Sequence, residues 1–253
     1  MSVLADSFDE AGRVLAEAER RKVTLRLIGG LAVKFRCPSA RSEQLKRKYL
    51  DIDFMGLAKQ SKEIKSLFGD LGYEPRSRFN AMMGAKRLIF NDLKNDRRAD
   101  IFLDVFEMCH KFDFRDRLKL DSSTLPLADL LATKLQIVQA NEKDYRDMVS
   151  LFLDHDVDSS DGENINGTYL ADMCSKDWGV YKTFVVNLSK IPTFIDSFGL
   201  TPEASSRSKA GVAKLNSMIE AKPKSLGWKM RARVGERMPW YELPEDDKLV
   251  VSE

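Results

Sequence analysis

Tyr49-Leu50-Asp51-Ile52-Asp53-Phe54 is a short apolar run interrupted by two carboxylates one residue apart. Successive strand side chains point to opposite faces, so Asp51 and Asp53 project together from a segment otherwise apolar enough to be buried. Two carboxylates held side by side repel each other. A divalent cation between them removes that repulsion, and Mg²⁺ characteristically takes one or two carboxylates together with substrate phosphates. The competing reading is a strand end whose two Asp face water. The pair alone does not separate these readings, so the flanking sequence has to.

Upstream, Thr24-Leu25-Arg26-Leu27-Ile28 reads as a strand that runs into Gly29-Gly30. The glycines permit a tight turn into a short helix over 31–36, which stops before Pro38. Earlier still, Leu4, Phe8, Ala11, Val14, Leu15 and Ala18 recur at helical spacing and predict an amphipathic helix over 3–21. From Pro38 to Lys48 the chain is a polar loop made basic by Arg41, Lys46, Arg47 and Lys48, and it leads into the Asp pair. Downstream, 58–70 predicts a helix with Ile64, Leu67 and Phe68 on its buried side, and Lys86–Phe90 and Asp100–Met108 predict strands. Asp100 and Asp104 are an even number of residues apart and share a face of the second of these. Either one joins Asp51 and Asp53 if the two strands are neighbours.

The second signal begins at Pro126, well placed for a first helical turn. Leu127, Leu131 and Val138 lie on one stripe with Leu130 and Leu135 beside it, and Lys134 falls on that same apolar stripe. A lysine there either snorkels to the edge or reaches inward to an anion. A further helix starts near Asn141, where Asp144, Asp147, Met148, Leu151 and Phe152 share a side. Asp144 also stands at the capping-box position relative to Asn141, a local role that leaves Asp147 unexplained.

In 253 residues, 41 Lys and Arg nearly balance 39 Asp and Glu, so no global field points to nucleic acid or an anionic membrane. Cys37, Cys109 and Cys174 are few and widely spaced, which suggests buried apolar residues rather than a disulfide framework or a zinc site. His110 and His155 are isolated and lack metal-ligand spacing. The start Met1-Ser2-Val3-Leu4-Ala5-Asp6 lacks a basic, apolar signal sequence and no run approaches a membrane span, which reads as a cytoplasmic chain with no membrane partner.

In order along the chain, four stretches resemble the nucleotidyltransferase fold, specifically its abortive-infection AbiEii-type, toxin-like branch. They are Leu27-Ile28-Gly29-Gly30-Leu31-Ala32, Arg47-Lys48-Tyr49-Leu50-Asp51-Ile52-Asp53-Phe54, Asp129-Leu130-Leu131-Ala132-Thr133-Lys134-Leu135 and Lys143-Asp144-Tyr145-Arg146-Asp147. The resemblance covers roughly residues 5–155, and the joint order is more specific than any single motif. Tyr49 departs from it, since the branch often has Thr there, and the stretch between Gly30 and Asp51 is longer and more basic than in the simplest members. The resemblance implies an α+β fold: a nucleotidyltransferase core with a small mixed sheet flanked by helices over 1–120, then a helical region over 121–253. It also implies a site. Gly29 and Gly30 would let the backbone approach a triphosphate. Asp51 and Asp53, with Asp104 or Asp100 as third member, would hold two Mg²⁺ ions roughly 3.5–4 Å apart. Lys134 would bind phosphate. Asp144 or Asp147 would orient Lys134, contact the nucleotide or accept a proton from the incoming hydroxyl.

On this reading an NTP donates its nucleoside monophosphate to a hydroxyl acceptor, RNA such as tRNA fitting the toxin-like branch, with a cognate antitoxin protein as a further partner and a toxin–antitoxin or phage-defence role. The alternatives are transfer to a protein or small molecule, and a non-catalytic member that binds nucleotide or a protein. The last third offers one more feature. After an acidic, turn-rich stretch at 154–161, the segments 164–188 and 192–198 carry enough aromatic residues for a small helical domain. The tail from Lys222 to Arg233 then sets Lys224, Lys229, Arg231 and Arg233 around Trp228, with Trp240 and Tyr241 beyond. Basic residues among aromatics suit either RNA contact or a solvated amphipathic segment docked through Trp228 and Met230.

Overall fold

A computed structural model of the chain describes residues 3–242. The outer ends of the two expected regions, 1–2 and 243–253, lie outside the described residues. The elements run α1 (Ser7–Arg20), β1 (Leu25–Ile28), α2 (Gly29–Arg36), β2 (Ile52–Gly56), α3 (Ser61–Asp70), β3 (Glu74–Pro75), α4 (Ser77–Met83), β4 (Arg87–Asp92), β5 (Arg97–Leu103), β6 (Val105–Glu107) and β7 (Lys111–Asp113). Helices then dominate: α5 (Leu127–Leu135), α6 (Glu142–Asp154), the short pair β8 (Val157–Asp158) and β9 (Ile165–Asn166), α7 (Gly167–Lys176), α8 (Trp178–Ser197), α9 (Pro202–Ala221) and α10 (Leu226–Val234). The fold is therefore α+β, a mixed sheet flanked by helices and followed by a helical region.

The five-stranded sheet has the order β1-β2-β5-β4-β3. Its centre is the parallel pair β2–β5, and the outer pairings β1–β2, β5–β4 and β4–β3 are antiparallel. The alternation in β2 works as the sequence predicts. Ile52 and Phe54 are fully buried, Phe54 meeting the ring of Phe68 on α3 edge-on at 5.9 Å, while Asp53 faces the other way and stays partly open to water. The free edge of β1 is not left exposed. Leu27 N–H donates to Ser123 O and Leu27 O accepts from Leu125 N–H, so the chain entering α5 covers that edge. One hydrophobic core runs from Val3 through both sheet faces into α9 at Ile219.

Three expected elements differ. The strand foreseen over 100–108 is two strands, because Asp104 adopts φ +61° and turns the chain between β5 and β6. The helix after Pro126 stops at Leu135, before Val138, and Pro126 is its cap residue. Pro192 interrupts nothing: it lies inside α8, which continues to Ser197. The helix α4, between α3 and β4, had no sequence expectation at all; Asn80 fastens it to β4 by exchanging hydrogen bonds with the backbone of Ile89 at 2.8 and 2.9 Å.

Candidate carboxylate site

The register of the central strands builds the site. Asp53 on β2 lies directly opposite Asp100 on β5, and opposed residues share a face of the sheet. Asp51 stands just ahead of β2 with the same parity. Gly29, the first residue of α2, has φ +68°, and a Cβ there would lie 2.5 Å from Asp53 Oδ2. That position therefore excludes side chains twice over, by backbone conformation and by its contact with the carboxylate. Burial is the main cause that pushes the Asp53 carboxyl up to about 7, with the negative charges of Asp100 and Asp51 adding to it and Lys134 and Arg98 opposing.

Asp100 shares this face with Asp53, and Asp104 does not. Asp104 sits beyond the far end of β5, where its Oδ1 accepts the Ala58 N–H at 2.9 Å and fixes the loop after β2. Equal parity predicts a shared face, but four residues of strand separate the two by about 13 Å, and the turn at Asp104 removes it from the face altogether. Two arginines that no sequence argument singled out complete this end. Arg87 on β4 forks onto Asp100, Nε donating to Oδ1 at 2.7 Å and Nη2 to Oδ2, with its guanidinium 4.8 Å over the Phe102 ring. Arg98 donates its backbone N–H to Asp51 Oδ1 at 3.3 Å and brings its guanidinium within 3.7 Å of Oδ2.

Lys134 reaches inward rather than snorkelling. It is buried, with Nζ 2.7 Å from Asp147 and 3.1 Å from Asp144. Burial pulls its ammonium down, yet Asp147 and Asp144 outweigh that and hold it raised. The expected choice for Asp144 resolves as both roles: it completes the capping box with Asn141 at the start of α6 and also accepts from Lys134. Asp147 is shared. Arg47 forks onto it at 2.9 and 2.8 Å, and the two cations keep its carboxyl below the usual range despite burial.

Arg47 also explains Gly30. A Cβ on that residue would lie 1.5 Å from Arg47 Nη2, so the second glycine opens room for the guanidinium, which stacks 4.3 Å from the Tyr49 ring. The space beside Gly30 is thus filled by a protein side chain. Tyr49 has its hydroxyl buried without a hydrogen-bond partner, and burial with Asp147 nearby pushes it up to about 12. Sequence reading quoted Arg47 and Tyr49 but assigned them no role. The partner that gives Arg47 one is a hundred residues away.

Carboxylate oxygens suit a hard divalent cation, and the charges of Asp51 and Asp100 beside Asp53 are ones such an ion would offset. Against this, Asp100 and Asp51 are already engaged by arginines, and no group of three or more His, Cys, Asp and Glu poised to hold a metal exists among the described residues. The residues fit the ion chemically; seating it requires Arg87 and Arg98 to yield. The three cysteines are buried and unpaired. His110 bonds Thr183 Oγ1 at 2.8 Å, and His155 bonds the backbone oxygens of Glu163 and Arg36. No helix among the described residues is long and apolar enough to cross a membrane. No protein-family model, curated protein or solved structure matches this chain.

Proposed function

We propose that the chain is a Mg²⁺-dependent nucleotidyltransferase of the AbiEii-type branch, acting in the cytoplasm. It would move a nucleoside monophosphate from an NTP to a hydroxyl of RNA, in a toxin-like or phage-defence setting with an antitoxin partner. The observation that carries this reading is the opposition of Asp53 and Asp100 on adjacent parallel strands, with Gly29 held bare against Asp53 at the start of α2. Asp51, Asp53 and Asp100 would hold the metal. When bound, the metal neutralises charge on the phosphoryl group and aligns attacking and leaving oxygens. Lys134 and Arg47, both anchored on Asp147, supply positive charge beside that cluster, and Asp144 and Asp147 act as positioning residues for them.

A second reading, a catalytically silent nucleotide- or protein-binding member, is favoured by one observation: Arg87 occupies both oxygens of Asp100. Incubation with each labelled NTP, Mg²⁺ and total cellular RNA or protein separates the two. Transfer of label to RNA that Asp53→Asn reduces by three or more orders of magnitude is the expected result. Label on protein alone would redirect the acceptor, and absence of transfer to any acceptor would leave the silent reading.

A further inference from the structure

A cleft of about 550 Å³ lies away from the carboxylates, between the β6–β7 turn, the start of α8 and the helix α10. All three tryptophans of the chain, Trp178, Trp228 and Trp240, line it, together with Tyr241, Arg231 and Lys176. Its outer wall is held in place by specific bonds. Arg231 donates to Met238 O at 2.9 Å and Pro239 O at 3.2 Å, Glu242 N–H donates to Cys109 O at 3.1 Å, and Trp240 Nε1 donates to Thr183 Oγ1 at 3.3 Å. Gly179 admits this wall, since a Cβ there would meet Trp240 O at 2.6 Å. Trp228 Nε1 is a buried N–H with no acceptor.

Charge around the cleft selects the ligand. Two of its three carboxylates are already used: Glu107 is 3.0 Å from Lys86, and Asp177 caps α8 by accepting the Val180 N–H at 3.0 Å, while Glu242 is exposed at the edge. One face of Trp178 is taken by the Arg231 guanidinium at 4.7 Å, which leaves stacking to the other rings. Lys111 and Lys176 line it and are exposed. Aromatic rings to stack on and cations at the rim match an unpaired base carrying a phosphate backbone.

We propose that this cleft binds an unpaired nucleobase of single-stranded RNA and so anchors the acceptor at a distance from the reacting end. This rests on the RNA-acceptor reading above. The cleft's lining includes neither Asp51, Asp53 and Asp100 nor Lys134, so the anchor is a contact of the kind that positions a substrate without touching its reacting atoms.

Because every tryptophan lines the cleft, intrinsic fluorescence of the full-length protein reports binding directly. Short unstructured RNA, added without NTP or Mg²⁺, is expected to quench it with a salt-dependent affinity, and duplex RNA of equal length is expected not to. Trp228→Ala should weaken binding roughly 5- to 150-fold. Gly227→Phe should also abolish quenching with an unchanged melting temperature, since nothing lies within 4 Å of a Cβ at Gly227, a residue that lines the cleft. Absence of quenching, equal quenching by duplex, or wild-type affinity in Gly227→Phe overturns the proposal. RNA labelling by a protein that shows no quenching overturns only this anchor, whereas quenching without any labelling leaves the anchor and removes the transferase.

Discussion

The two ends of the molecule treat charge in opposite ways. At the carboxylate end, Asp100, Asp144, Asp147 and Lys134 are buried and each is engaged by an opposite charge on a different element. At the other end, α10 has no buried residue, Lys229 and Arg233 are exposed, and Leu226 and Met230 stand 74% and 56% open to water. Buried, mutually satisfied charge fixes geometry but is costly to disturb. Exposed charge costs little to change and remains available to a partner. The contrast separates a rigid centre from an adaptable surface, and mutations should register it as a gradient of stability effects.

The largest effect is expected for Asp147→Ala. It leaves Arg47 without its carboxylate and Lys134 with Asp144 alone, and should destabilise the fold by about 3–5 kcal/mol, read by urea denaturation; a loss below about 1 kcal/mol would mean the network is not integral to the core. Next comes Asp53→Asn, which should stabilise and do so only at higher pH. The folded carboxyl titrates near 7, against about 4 in an unfolded chain. The folded state therefore holds the extra proton between these values, and its stability falls as pH rises through that window. Removing the charge should raise stability by about 2 kcal/mol at pH 8, allowing for the part of the side chain open to water, and by nothing near pH 4. Parallel pH–stability curves for wild type and variant would contradict a raised Asp53 carboxyl.

Gly29→Ala should cost about 1–2 kcal/mol from its φ of +68° alone. Its Cβ would also displace Asp53, so loss of nucleotide transfer should exceed what the fall in melting temperature explains. The smallest effect lies on α10. Lys229→Ala with Arg233→Ala should change stability by less than about 0.5 kcal/mol, and a clear drop in melting temperature would show that this face is structural.

Legibility in the sequence followed the range of the interaction. The Asn141–Asp144 cap spans one helical turn and is readable from residue type and spacing. The shared side of Asp51 and Asp53 follows from strand periodicity, although only Asp53 lies within β2. The choice between Asp100 and Asp104 was not readable, because parity is identical and the turn at Asp104 occurs at a residue that is not glycine. The aromatic tail was noticed, but Met230 turns outward and docking goes through Trp228, 5.1 Å from the Tyr181 ring.

The sequence by itself determined a strand running into two glycines, a strand bearing carboxylates, and two helices presenting Lys134, Asp144 and Asp147 on their apolar sides, since these depend on local periodicity and capping. Tertiary structure decided which charges meet. Arg47 with Asp147, Arg87 with Asp100 and Asp53 opposite Asp100 are products of strand order and helix docking. No local pattern encodes them, because a buried charge is stabilised by whichever partner the fold brings within reach.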